Sequence, residues 1–289
     1  QAEDGIRDLV RSRGLGDVYK RQAQGALMGA RGNSGVILSQ IWRGFAHSLA
    51  DKEVAGAADI AAAFKEASAT AYKGVMRPVE GTILTVVREG SEEAQDALTK
   101  SSDLRFLLER VLERCQQTLE RTPEMLEELR QAGVVDSGGQ GFVYILEGML
   151  RYVNGDLKNE VAQPTAGAPA HPPLSAQALA APTTGELEFP YDVQFILTGQ
   201  SLDVAVVRQA ISAMGDSTLV VGDERAIKVH VHVVDPGQPL SYAIGIGRVT
   251  DVVVENMQEQ MEAIINQPTA SPGVQPTSAP GHSHTHLHA

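Results

Sequence analysis

The stretch MGARGNSGVILSQ, Met28–Gln40, packs three glycines, an arginine, an asparagine and a serine into Gly29–Gly35, then passes at once into an apolar helical pattern. In the continuation GVILSQIWRGFAHSLA, apolar side chains recur at Val36, Ile37, Ile41 and Phe45 with the spacing of one helix face. A run of small residues ahead of a helix has two readings. Free N–H groups and the helix dipole attract anions there, and Asn33 and Ser34 add side-chain donors. Equally, Asn and Ser are ordinary caps in a glycine turn. The run is not a Walker A loop, because no Lys followed by Ser or Thr stands in the required place.

Outward from this stretch the helical pattern continues to about Asn154. AADIAAAFKEASATAYKGV, TILTVVREGSEEAQDAL and DLRFLLERVLERCQQTLERT read as three further helices. PEMLEELRQAG reads as a fifth, opened by Pro123 and closed by Gly133, and GFVYILEGMLRYVNG as a sixth, closed by Gly155. Short polar or glycine-rich loops join them, as in an all-α bundle. Two of these loops repeat the character of the first. KGVMRPVEGTILTV sets Pro78 and Gly81 before a helix that opens at Thr82, and AGVVDSGGQGF sets Asp136, Ser137 and three glycines between helices. Gathered at one end of a bundle, three such helix starts would form a nucleotide pocket.

Beyond Asp156 the pattern changes. Residues 156–185 are rich in Ala, Pro, Thr and Gln and read as a linker. YDVQFILTG and STLVVGDERAIKVHVHVVD alternate as strands do. With helices at LDVAVVRQAISAMG and PLSYAIGIGRV and a strand at VTDVVVENM, residues 186–267 read β-α-β-β-α-β, a small α+β domain. Residues 268–289 read as a disordered tail with alternating histidines, HSHTHLHA. The opening, Gln1–Gln22, does not flow into the helical pattern after it. It resembles translated sequencing-adapter read-through and is expected not to be native.

Bulk properties narrow the function classes. The 289 residues carry a net charge of −12 and 4% aromatics. Such a surface repels polyphosphate polymers and excludes nucleic acid as a partner. One cysteine, Cys115, allows no internal disulfide, which points to the cytoplasm. No apolar run reaches membrane-spanning length. His230 and His232 stand two apart in a strand, hence on one face. From the residues alone they are either two buried, hydrogen-bonded histidines or half of a zinc site.

Five ordered blocks resemble the L-subunit domain of dihydroxyacetone kinases, in the version found at the N-terminus of bacterial fatty-acid kinases. They are GARGNSGVILSQIWRGF, VMRPVEGTILTVVREG, AGVVDSGGQGFVYILEGM, GDSTLVVGDERAIKVHVHVVDPG and VVVENMQEQ, within Ala23–Gln260. The resemblance implies a mainly α fold: an antiparallel eight-helix barrel, incomplete here, over residues 23–155, followed by the small α+β domain. It implies ATP at one end of the barrel. Asn33 and Ser34 would contact the phosphates, Gly74, Thr82 and Ile83 would lie on the adenine side, and Asp136, Ser137 and Gly138 would close over the nucleotide. It also implies Mg2+ held by an aspartate loop of the type DGDTGTNM. No such loop stands in this chain, its place being taken by Gln1–Gln22, so the catalytic metal ligands are unknown and the polypeptide is expected not to be a competent kinase. Many relatives carry Cys where Asp192 stands. Here Asp192, His230 and His232 would offer zinc a harder ligand set. The implied reaction phosphorylates a fatty-acid carboxylate presented by a lipid-binding partner protein, with a homodimer also compatible. The alternatives are a dihydroxyacetone-type kinase for a small ketose and a non-catalytic nucleotide-binding or scaffold module.

Overall fold

A computed structural model describes residues 15–50, 52–156 and 187–265. The linker after Asp156 and the histidine-rich tail expected from the sequence lie outside these residues, as does the first part of Gln1–Gln22, up to Gly14. Helices occupy the first part: α1 (Leu15–Gly29), α2 (Gly32–Ser48), α3 (Ala57–Gly74), α4 (Ile83–Lys100), α5 (Leu104–Glu120), α6 (Thr122–Met125), α7 (Glu127–Ala132) and α8 (Ser137–Asn154). The first helix runs straight through the boundary drawn at residue 22, and its Tyr19 ring stacks 6.5 Å from that of Phe45.

Each long helix packs on its neighbour in sequence, α1 on α2 through α4 on α5, and α8 returns to α5 and α4. The start of α2, the segment after α3, and the start of α4 meet at one end, so successive helices run in opposite directions. Alanine makes this packing close. Ala61, Ala63, Ala67 and Ala71 of α3 are fully buried with Phe64. Gly44 of α2 sits so near α3 that a Cβ there would lie 2.4 Å from the Ala67 Cα.

One expectation needs correction. PEMLEELRQAG is not a single helix. Leu126 adopts an extended backbone (φ −124, ψ 116) that divides α6 from α7. The break seats the turn into α4. Gly81, at φ +82, comes so close that a Cβ would meet the Cβ atoms of Met125 and Leu126 at 2.9 and 3.0 Å. Gly133 closes α7 in the left-handed conformation (φ 66), as its position predicts.

The second part follows the predicted order: β1 (Tyr191–Thr198), α9 (Val204–Ser212), β2 (Gly215–Gly222), β3 (Ala226–Val233), α10 (Gly237–Ile246) and β4 (Arg248–Asn256), with α11 (Met257–Ile265) added at the end. The sheet is antiparallel throughout, in the order β2-β3-β1-β4. Val193, Phe195 and Leu197 of β1 and Ile227, Val229, Val231 and Val233 of β3 form one core with Val207 and Ile211 of α9 and Ala243 of α10. The opposite face turns toward the barrel. Leu219 and Val221 of β2 belong to the helical core, and Val75, just after α3, makes a backbone bridge to Leu219. The two parts therefore share a core across the linker.

Gly44→Ala tests the closeness of α2 and α3. The new methyl meets backbone, which cannot yield without moving a helix, so stability should fall by about 1–3 kcal/mol. Thermal or urea unfolding against the unsubstituted chain measures it. A melting temperature that does not change would contradict so close a contact between the two helices.

Candidate functional site between the helical part and the sheet

Three helix starts converge on one cavity of about 300 Å³. Its barrel wall carries Asn33, Ser34 and Ile37 of α2, Val75, Met76, Arg77 and Val79 after α3, Thr82, Ile83 and Leu84 of α4, and Asp136 ahead of α8. Asn33, Ser34, Thr82, Ile83 and Asp136 are thus brought together. Gly138 adjoins them, since a Cβ there would lie 2.9 Å from Ser34 Oγ. Ser137 is exposed beside Asp136 and off the cavity wall. Gly74 also lies off the wall, buried at the end of α3 against Gln40 and Val221.

The local chemistry of the three starts differs. At α2 the capping position is Arg31, with no side-chain cap, and Asn33 and Ser34 stand inside the first turn. Capping by these two residues is therefore not what the turn is for, and the N–H groups of a first turn have no partner within their helix. At α4, Thr82 Oγ1 accepts from Leu84 N–H at 3.3 Å and donates to Val79 O at 2.8 Å. At α8, Asp136 Oδ2 accepts from Gly139 N–H at 2.7 Å. Burial holds the Asp136 carboxyl above its ordinary range, against the opposing pull of the Gly139 and Ile83 N–H groups.

The opposite wall comes from the sheet and was not foreseen from the sequence. Ser212, Gly215, Asp216, Ser217, Thr218 and Leu219 line it. The β2–β3 register slips between Asp216 and Leu219, and Ser217 sits at φ 51 in that bulge. Gly215 allows the strand to start there: a Cβ on it would fall 1.9 Å from His232 O. The signal in the sequence was the run of small polar residues GDST between a helix and a strand.

The barrel-facing side of the sheet also carries a polar cluster. Asp192 pairs in register with His232, and Gln194 with His230. One ligand atom from each of Asp192, His230 and His232 lies within 4.8 Å of the others. Asp192 Oδ1 stands 3.1 Å from His230 Nδ1, yet neither atom has a properly aligned hydrogen bond, and His230 Nε2 has no partner either. Burial pushes the Asp192 carboxyl up, but His230, Gln194 and His232 together outweigh it and the net shift is downward. Burial, then His230, lowers His232. Both shifts favour the unprotonated forms that ligate metal. Buried donor atoms left over on Asp192 and His230, with the half-buried His232 beside them, fit a metal ion with one coordination position open.

Two residues missed by the sequence reading belong to this cluster, and the first ties it to the helix start. Gln194 Nε2 donates to Asp192 Oδ2 at 2.9 Å, and Gln194 Oε1 accepts from Gly32 N–H at 3.1 Å, across 162 residues of chain. Lys228 is 1% exposed on the same face, and its Nζ has no hydrogen-bond partner. Burial, reinforced by Arg31, lowers its affinity for a proton.

A family model described as DAK2 domain matches residues 1–151. The chain belongs to that family. A second model, for the FakA-like middle domain of fatty acid kinase, matches residues 188–264, and the pair marks the fatty acid kinase subunit family. Protein YloV of Bacillus subtilis (strain 168) is 39% identical over 264 residues, covering 88% of this chain and 47% of YloV. Uncharacterised proteins of Staphylococcus aureus strains bovine RF122 / ET3-1 and USA300 are each 37% identical over 268 residues, covering 90% of this chain and 48% of theirs. The chain spans about half the length of the curated relatives it matches. No helix among the described residues is long and apolar enough to cross a membrane.

Gln194→Leu removes both bonds of the buried amide. It strands the Gly32 N–H and one oxygen of Asp192, so unfolding in urea should show a loss of about 1–3 kcal/mol. Unchanged stability would show that the amide does not join the two parts.

Proposed function

We propose that this chain is the kinase component of a fatty acid kinase. ATP binds in the cavity between barrel and sheet. The acceptor is a fatty-acid carboxylate presented by a separate lipid-binding protein. A carboxylate oxygen attacks the γ-phosphorus, the bond to the β-phosphate oxygen breaks, and acyl phosphate and ADP leave. The observation that carries the reading is the convergence of the α2, α4 and α8 starts on one cavity, with Asn33 and Ser34 in a first turn that Arg31 does not cap. Backbone donors and the helix dipole at such a place suit phosphate oxygens. The family descriptions of the two matched segments support the same reaction class.

The chain's own residues would hold the nucleotide by its phosphates and by the apolar side chains Met76, Val79, Ile83 and Leu84. Magnesium, when bound in a kinase site, neutralises phosphate charge during transfer. Among the described residues, the carboxylates on the cavity wall are Asp136 and Asp216. The first is committed to the Gly139 N–H, and the second lies 3.8 Å from Arg77. That set does not fit a two-ion site. It favours the second reading for this polypeptide as it stands, a module that binds nucleotide without efficient turnover. The ketose-kinase alternative has no specific support in the cavity.

Calorimetric titration with ADP is expected to show saturable binding. Acyl phosphate formation from labelled ATP, magnesium and a fatty-acid-loaded lipid-binding protein is expected to stay far below that of a full-length relative. Failure to bind any adenine nucleotide would remove the kinase reading. Turnover equal to the relative's would remove the module reading.

We also propose zinc at Asp192, His230 and His232, the donor set being acceptable to that ion. Metal analysis of the purified full chain is expected to find about one equivalent of zinc, lost in His230→Ala. Near-zero metal in both proteins would refute the site.

A further inference from the structure

The cavity's sheet wall contains a buried hydroxyl that the fold itself does not use. Thr218 lines the cavity and is 8% exposed, and its Oγ1 has no hydrogen-bond partner. Buried hydroxyls are normally paired, and an unpaired one at a cavity wall calls for a ligand. Its position follows from the β2 bulge. The register slip between Asp216 and Leu219 leaves Thr218 outside the paired ladder with β3, and Ser217 accepts a left-handed backbone (φ 51) to make the slip. Bulges commonly re-aim side chains beside functional sites, and strain of this kind persists where the surroundings hold it in place. Here the hold is visible on both sides. Gly215 is pressed against His232 O, and Leu219 is anchored in the helical core with a bridge to Val75.

We infer that Thr218 is a nucleotide-binding residue, and that the sheet domain supplies a phosphate-binding wall facing the three helix starts. This deepens the nucleotide reading above and rests on it. The ligand chemistry follows from the donors across the cavity. Asn33 and Ser34 stand in the first turn of α2, whose N–H groups favour anionic oxygens. A hydroxyl opposite them completes a set of donors for the phosphate end of a nucleotide, while the apolar lining suits a base. Asp216, the acidic neighbour on the same wall, is paired with Arg77 at 3.8 Å. The nucleotide site is then a two-domain site, closed only when the sheet is seated on the barrel.

The test is Thr218→Val in the full chain. It is isosteric, β-branched and suited to a strand, and it removes a hydroxyl that has no partner, so the melting temperature without ligand should not fall. Binding of ADP and of the non-hydrolysable analogue AMP-PNP is measured by calorimetry beside adenosine. The expected result is about tenfold weaker binding of both phosphate-bearing ligands, as for loss of one hydrogen bond to a charged group. Adenosine should be unchanged, and Thr218→Ser should restore most of the affinity. Wild-type affinity for all three ligands in Thr218→Val would overturn the inference. An equal loss for adenosine would overturn the phosphate assignment, since the contact would then be with the nucleoside. If the unsubstituted chain binds none of them, the nucleotide reading itself fails and this inference with it.

Discussion

Leu219 and Val221 project from β2 into the core of the helical barrel, and most of the candidate site's geometry depends on that burial. A sheet has two faces and must bury at least one. Here α9 and α10 cover one face, and the barrel covers much of the other around β2 and β3. Because side chains alternate along a strand, the residues that share a face with Leu219 and Val221 are set without further freedom. They include Lys228 and His230 on β3 and Asp192 and Gln194 on β1. Seating the two apolar anchors therefore carries a polar cluster against the barrel.

Such a cluster is costly unless it is satisfied or used. Gln194 is satisfied, holding Asp192 on one side and the Gly32 N–H on the other. Asp192 Oδ1, both nitrogens of His230, Lys228 Nζ and Thr218 Oγ1 lack hydrogen-bond partners. These leftover atoms lie where the two parts of the chain meet, and that is where a ligand or metal would supply the missing partners. By contrast, buried polar groups inside the barrel are paired: Glu89 takes Thr118 and Arg121 at 2.8 and 2.7 Å. The difference between a satisfied interior and an unsatisfied seam is the physical mark of the site.

Much of this is legible in the amino-acid sequence. The change of period near residue 156 separates helices from strands, since 3.6-residue and two-residue spacing cannot be confused over long runs. Asn33, Ser34, Thr82 and Asp136 are visible as helix-start chemistry, and the His230 and His232 spacing places both rings on one face. The split at Leu126 is not legible. Its apolar pattern reads as helix, and the break goes with the close approach of Gly81 from another loop. Thr218 escapes for a related reason. It sits in a strand-like run, and only the slipped register removes it from the ladder.

The sequence by itself determined most of the elements, their order, and the chemistry at three helix starts, because those properties are local: periodicity, glycine placement and side-chain donors within a few residues. Only the tertiary structure decided that those starts share one cavity with the β2 bulge, that Gln194 reaches Gly32, and that Gly74 stands off the wall. Such contacts join residues far apart in the chain. They are selected by how apolar faces fit together, and no short stretch of sequence records that fit.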